Sequence, residues 1–388
     1  MGLPRASPLG VAVAVLLFQV AWVGLLFARG FEVRDFIGLG RAYVVRGDQS
    51  GPIHIDPAYH YTANGIGYDG QWAYYIAVDP GRARAHLDGP SYRLGRILYP
   101  ALARLLALGR ASLVPYALLA LNLGAVFAGC LAIGAWLRRR DRSAWWAAVF
   151  GLFPGITIAV HRDLTEVVAY SLAALAVLAL DSRSRRRWVL GGLLFAAAVL
   201  ARETTAVFAV VYALAEFKRR PAVSVGILAL ALFPLAAWDL YLVVRVGPID
   251  TGQASRFTPI PLGGMLAARP WRIGHARVVL SMILPGLLCF AAAAVGWWRG
   301  ARGPAVVCLA ANVGLFVLFL PPQSYIDSDA AMRVSTGVVL AALLSIPVLS
   351  EALRSDRWIR VCAALWLVTI PVTLAANALD HPAGLIRV

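Results

Sequence analysis

The side chains most able to do chemistry in this chain sit where apolar sequence makes them costly. Glu166, Glu203 and Asp239 lie within or beside long apolar runs, where an ionised carboxylate costs about 2.5–3.5 kcal/mol unless it is paired or faces water. Asp163 and Glu166 bracket the string Asp-Leu-Thr-Glu. On a helix they would share a face and could bind hydroxyls or a cation; equally, Asp163 could cap the helix with Glu166 at its third position. Arg202 and Glu203 fall at a turn between two apolar runs, and adjacent helix residues point about 100° apart, so separate partners are expected for them. Arg333 opens another apolar run beside Asp327 and Asp329. The remaining polar chemistry is concentrated in residues 29 to 111, which contain Asp35 and the string Gly-Tyr-Asp-Gly-Gln-Trp-Ala-Tyr-Tyr-Ile-Ala-Val-Asp-Pro at 67 to 80. Asp69, in Tyr-Asp-Gly, has good turn chemistry as well as a free carboxylate. Tyr74 and Tyr75 could stack on a ligand ring or anchor at a membrane interface. His54, Asp56 and His60 form H-x-D-x3-H, a set that can bind divalent cations; nothing in the sequence makes them converge, so they are read as loop residues, with no metal and no cofactor expected.

These groups must be positioned by membrane helices. The chain has 388 residues, 60% of them hydrophobic and 14% charged, with a mean hydropathy of +0.72, far from a soluble domain. A span needs roughly 20 apolar residues, and about eleven candidate segments centre near residues 18, 124, 152, 173, 194, 210, 233, 285, 312, 342 and 368. Arginine clusters at 138–142, 183–187, 218–220, 299–302 and 354–360 each follow an even-numbered span, which places the N-terminus in the cytoplasm and the 29–111 loop outside. The net charge of +16 is therefore a topology signal, and no nucleic-acid partner is expected. The first span reads as a retained signal anchor in a multi-pass inner membrane protein. Cys130, Cys289, Cys308 and Cys362 all fall in apolar runs, with neither disulfide nor metal spacing. Lys218 is the single lysine among 36 basic residues, which suggests a GC-rich bacterial gene. No internal repeat divides the chain, so residues 1–388 are taken as one membrane domain.

Within the outer loop, residues 47 to 70 are dense in turn formers, whereas Gln71 to Val78 is expected to form a short helix ending before Pro80. Tyr92 to Leu108 reads as an amphipathic interfacial helix, kinked near Pro100, with Leu94, Ile97, Leu98, Ala101 and Leu105 on one face and Arg93, Arg96 and Arg104 nearly opposite.

Asp69 followed by Tyr74-Tyr75-Ile76-Ala77 resembles the first-loop Asp and the aromatic-Ile-Ala helix of the GT-C glycosyltransferase superfamily, and is similar in form to the PIG-V-like mannosyltransferases. The strings Asp35-Phe36-Ile37-Gly38, Asp69 to Pro80 and Arg96-Ile97-Leu98-Tyr99-Pro100 resemble a bacterial multispanning family associated with cell-surface glycopolymer formation. The likeness covers the first 110 residues, with weaker echoes at Asp163–Glu166, Arg202-Glu203-Thr204-Thr205 and Met332-Arg333-Val334. It implies an all-α, GT-C-like bundle. The implied activity is sugar transfer from a polyprenyl-phosphate donor to a glycan or glycolipid acceptor on the extracytoplasmic face, usually with inversion, in contact with membrane lipid.

Such a transfer needs one general base for the acceptor hydroxyl. By its place in the motif Asp69 is that base, with Asp35 as the rival because it follows the first helix more directly; a turn role or a sugar-hydroxyl contact remains open for Asp69. The departing phosphate needs cations, a role that suits the planar fork of arginine. Arg202 and Arg333 are the candidates, against a reading in which both merely snorkel to headgroups. Tyr74, Tyr75, Asp163, Glu166 and Glu203 complete the expected substrate site. The competing functions are a transporter or flippase for lipid-linked glycan, which would show repeated broken helices in corresponding halves, and a non-catalytic envelope-assembly scaffold, which would not need Asp69.

Overall fold

The computed structural model describes residues 6–46, 60–62, 65–182, 186–249, 257–269, 273–379 and 385–386. The described residues are all-α apart from a two-residue antiparallel pairing of Tyr61–Thr62 with Leu385–Ile386. Among the described residues six helices are long and apolar enough to cross a membrane: Pro8–Ala28, Ala111–Arg138, Pro221–Arg245, Gly274–Trp298, Ser328–Leu353 and Arg357–Ala376. This is a polytopic helical membrane protein.

Every apolar segment expected from the sequence is helical, but among the described residues six, rather than eleven, have the length and composition of a full crossing. The reasons are local. The segment near 152 is split into Trp146–Leu152 and Pro154–His161 because Phe153 precedes a proline and adopts extended ψ 133, the conformation a following pyrrolidine ring favours. Ala206–Phe217 has 12 residues, about 18 Å at helical rise, short of a hydrocarbon core of about 30 Å. Glu166–Leu180, Arg187–Ala201 and Pro304–Leu318 are apolar but also short. In Gly274–Trp298 a π-turn at Val279–Ile283 precedes Pro285; a proline ring displaces the carbonyl four residues back, and a wider turn accommodates it.

Burial follows two clusters. The larger joins the bundle, with Pro8–Ala28 and Glu166–Leu180 against Val114–Arg138, and Arg187–Ala201 between Glu166–Leu180 and Pro221–Arg245. The second is built by the loop that follows the first helix: Ile37, Leu39, residues 72–77, Leu87, Leu94 and Tyr99 pack on the ends of four bundle helices through Val114, Val168, Ala201 and Leu242. Here the expected short helix forms at Gly70–Val78. The expected continuous amphipathic helix does not: it is Pro90–Leu94 and Leu98–Leu106, interrupted at Gly95. Arg104, expected on a polar outer face, instead donates from Nη1 to the Ala77 and Val78 carbonyls at 2.9 and 2.6 Å, capping the end of the Gly70–Val78 helix.

Two glycines bring the loop and bundle together. A Cβ on Gly70 would lie 2.2 Å from the Arg162 carbonyl oxygen, so only glycine lets the start of the short helix press against the chain at Arg162. A Cβ on Gly155 would lie 2.5 Å from the Met332 carbonyl, so glycine there seats Ser328–Val334 on Pro154–His161. Asp69, Asp163 and Arg333 are each next to one of these close approaches.

Candidate functional site

A narrow cleft opens between the loop and the bundle, lined by Asp69, Trp72, Arg93, Arg96, Asp163, Glu166, Arg202 and Arg333 among others. Asp69 immediately precedes the Gly70–Val78 helix, Arg93 and Arg96 flank the break at Gly95, Glu166 begins Glu166–Leu180, Arg202 follows Arg187–Ala201, and Arg333 lies in the last turn of Ser328–Val334.

Arg333 is the hub. Its Nε donates to Glu166 Oε1 at 2.7 Å, Nη1 to the Tyr68 hydroxyl at 2.9 Å and Nη2 to Asp69 Oδ2 at 2.8 Å. Glu166 is wholly buried, and a buried carboxylate is tolerable only when paired in this way. Arg202 Nη1 lies 3.0 Å from the same Glu166 oxygen, yet the angle leaves that nitrogen without a hydrogen bond, and Glu166 Oε2 is likewise unpartnered. On the loop side, Arg93 grips Asp88 with Nε and Nη2 at 2.7 and 2.8 Å, reaches Asp69 Oδ1 at 3.4 Å and lies over the Trp72 ring. Arg96 makes a fork to Glu203 at 3.0 and 2.6 Å and also donates to the Tyr92 hydroxyl. Trp72 Nε1 donates to Asp69 Oδ1 at 3.3 Å.

Burial pushes the Asp69 carboxyl up, but the guanidiniums of Arg333 and Arg93 outweigh it and hold the group well below the usual carboxylate range. Asp69 is therefore an ionised acceptor over the whole physiological range. The Glu203 carboxyl is set by the same contest: burial raises it, Arg96 prevails, and it settles at about 2.

The chain matches no family model, no curated protein and no solved structure. What can be said of the site therefore rests on its own geometry.

Of the residues expected at the site, Asp69, Asp163, Glu166, Arg202 and Arg333 converge on the cleft, and Glu203 reaches it through Arg96. Arg202 and Glu203 do take separate partners, as their spacing requires. Three expectations are corrected. Asp35 does not line the cleft; its Oδ2 accepts from the Glu32 amide at 2.7 Å in a capping box and its Oδ1 lies 2.9 Å from His60 Nδ1. Tyr74 and Tyr75 neither stack on a cleft ligand nor anchor at an interface: both are buried in the loop core, where Tyr75 stacks on His86. Asp163 is not an N-cap. The helix starts at Glu166 with Thr165 at the cap, so the two acids do not share one helix face. His60, set aside as a loop residue, is the partner of Asp35; His54 and Asp56 lie outside the described residues.

Sequence reasoning missed Tyr68, Trp72, Arg93 and Arg96. The signal for the two arginines was present, since Gly95 between them breaks the amphipathic pattern that assigned them to an outer face. No group of three or more His, Cys, Asp or Glu suited to a metal ion occurs among the described residues.

Proposed function

We propose that this protein is a GT-C-like glycosyltransferase that moves a sugar from a polyprenyl-phosphate carrier to a hydroxyl of an envelope glycan or glycolipid on the extracytoplasmic face. The observation that carries the reading is the convergence of one ionised, partly open carboxylate, Asp69, with four arginines in a single cleft at the ends of membrane helices. A lipid-linked donor needs a cationic seat for its phosphate beside a base for the acceptor, at the margin of a bilayer.

In this mechanism the donor phosphate takes hydrogen bonds from Arg202, whose Nη1 lies against Glu166 without a hydrogen bond, and competes with Asp69 for Arg93. As the glycosidic bond lengthens, charge develops on the phosphate oxygen and these donors stabilise it more than in the ground state. Each hydrogen bond drawn away from Asp69 restores basicity to a carboxylate that Arg333 and Arg93 otherwise suppress. The acceptor oxygen attacks the anomeric carbon while its proton passes to Asp69; the carrier leaves as polyprenyl phosphate, and the configuration inverts. Arg333 holds Asp69 and Glu166 in place. The orientation follows the arginine clusters, with the N-terminus cytoplasmic and the loop outside.

The test is transfer by the purified protein in nanodiscs, supplied with a panel of polyprenyl-phosphate sugars and envelope glycolipids. Asp69→Asn should lower turnover at least about 100-fold with donor binding retained. Turnover within a few-fold of the parent enzyme would remove Asp69 as the base.

A further inference from the structure

Asp163 is a polar side chain for which neither the packing nor the mechanism so far gives a use. It lines the cleft, its exposure is 0%, and both carboxylate oxygens lack a hydrogen-bond partner. Its backbone is equally unusual. The helix Pro154–His161 ends with the Leu164 amide bonded to the Ala159 carbonyl at 3.0 Å and with Asp163 at φ 50. This is the αL position of a Schellman turn, where glycine is strongly favoured. A carboxylate has replaced the residue best suited to the turn and has been buried without a partner, two separate costs borne at one position.

The charges of the cleft already balance without it. Arg93, Arg96, Arg202 and Arg333 lie against Asp69, Asp88, Glu166 and Glu203. An ionised Asp163 would add an uncompensated buried charge, and such a group takes up a proton instead. The titratable and charged groups around it are Tyr99, its chain neighbours His161 and Arg162, and the acids and arginines that line the same cleft, Asp69, Glu166, Arg93, Arg96, Arg202 and Arg333; none of the described side chains bonds to either of its oxygens. Burial alone displaces its carboxyl, and the displacement is upward.

The orphaned atoms also indicate what fills the space. With Arg202 Nη1 turned to the donor phosphate, Glu166 Oε2 remains an acceptor and a protonated Asp163 is both donor and acceptor. A second anion would be repelled by Glu166. Neighbouring hydroxyls, each able to give and accept a hydrogen bond, satisfy both groups.

We propose that Asp163 is a neutral carboxylic acid in the resting protein and binds the sugar moiety of the donor, giving its proton to one ring hydroxyl and accepting from the next. The proposal rests on the glycosyl-donor reading above and assigns a different residue a different task from the phosphate grip.

Two measurements on the full-length protein in nanodiscs test it. Infrared difference spectra should contain the carbonyl stretch of a protonated carboxylic acid at neutral pH, absent from Asp163→Asn. In binding assays with a polyprenyl-phosphate hexose panel and with bare polyprenyl phosphate as probes, Asp163→Gly should weaken the sugar-bearing donor about tenfold or more. Bare polyprenyl phosphate should bind as before, and Asp163→Asn should recover most of the loss. Glycine suits the αL turn, so this variant should fold at least as well as the parent, and a purely structural Asp163 would show no binding defect. Absence of the band, equal loss in the Gly and Asn variants, or equal weakening of both probes would overturn the proposal. If the parent protein binds neither probe, the glycosyl-donor reading falls instead, while the band still decides the protonation state.

Discussion

The two walls of the cleft differ in how far their polar groups are committed. On the Asp69 wall, each of the three nitrogens of Arg333 has its own acceptor, Arg93 forks to Asp88, and Arg96 forks to Glu203. On the opposite wall, Arg202 Nη1, Glu166 Oε2 and both Asp163 oxygens are buried without a hydrogen bond, although Arg202 Nη1 lies 3.0 Å from Glu166 Oε1. A group already bonded gains little when a ligand arrives, because one hydrogen bond is exchanged for another, whereas an orphaned buried group recovers its desolvation penalty. The saturated wall is therefore scaffold that orients Asp69, the proposed base, and the bare wall is where binding energy is available. Arg202 and Arg333, equivalent candidates by sequence, fall on opposite sides of this division.

Exchanging the two arginines in turn tests that division most strongly. Arg333→Gln leaves Glu166 and Asp69 without their shared cation and should cost about 3–5 kcal/mol of stability, the usual penalty for breaking a buried pair. Arg202→Gln removes an ion pair at 3.0 Å that carries no hydrogen bond and leaves Glu166 still bonded to Arg333, so thermal unfolding in detergent should move less. Its loss should instead be in donor affinity, about tenfold or more, with Arg202→Lys restoring only part because a point charge replaces the fork. Equal destabilisation by both Gln variants would erase the distinction between the walls.

Asp35 and Asp69 offer a smaller contrast. Asp35 caps its turn through the Glu32 amide, so Asp35→Asn should cost about 1 kcal/mol in unfolding experiments and leave the rate of transfer intact. A drop in turnover comparable to that of Asp69→Asn would reassign the base.

How much of the fold and the cleft is legible in the sequence depends on whether local sequence determines the feature. The Gly70–Val78 helix and its stop near Pro80, the divergence of Arg202 from Glu203, and the presence of Glu166 and Arg333 in the cleft follow from periodicity, adjacency and the cost of charge in apolar surroundings. Asp163 misleads because Asp-x-x-Glu before an apolar run is also the pattern of a helix start; only the tertiary path shows that the preceding helix ends there. Tyr74 and Tyr75 mislead because a tyrosine that stacks on a ligand and one that packs in a loop core have the same signature. Reading 92 to 108 as one helix places Arg93 and Arg96 on the wrong surface. The count of crossings suffers from hydropathy windows, which do not register the break at Phe153-Pro154 or the shortness of Ala206–Phe217.

The smallest expected effect is one of pH. The Glu203 carboxyl lies at about 2, against about 4.3 in an unfolded chain. A depressed carboxyl contributes stability that is complete above the unfolded value and lost as the pH falls from about 4 through about 2. Its side chain is 42% exposed, so solvent screens the pair and the contribution is modest. Glu203→Gln should flatten the acid limb of the unfolding profile over that interval and leave the profile near neutrality almost unchanged; an unaltered acid limb would mean the Arg96–Glu203 pair is energetically idle.

The central claim is that the cleft transfers a sugar with Asp69 as base, and the most direct test works whichever sugar is transferred. Glycan composition of the cell envelope is measured in a deletion strain, and again after complementation with the parent gene or with Asp69→Asn expressed to the same level. The account predicts that one sugar is lost or depleted on deletion, restored by the parent protein and not restored by Asp69→Asn. An unchanged composition on deletion, or equal restoration by both genes, would contradict it.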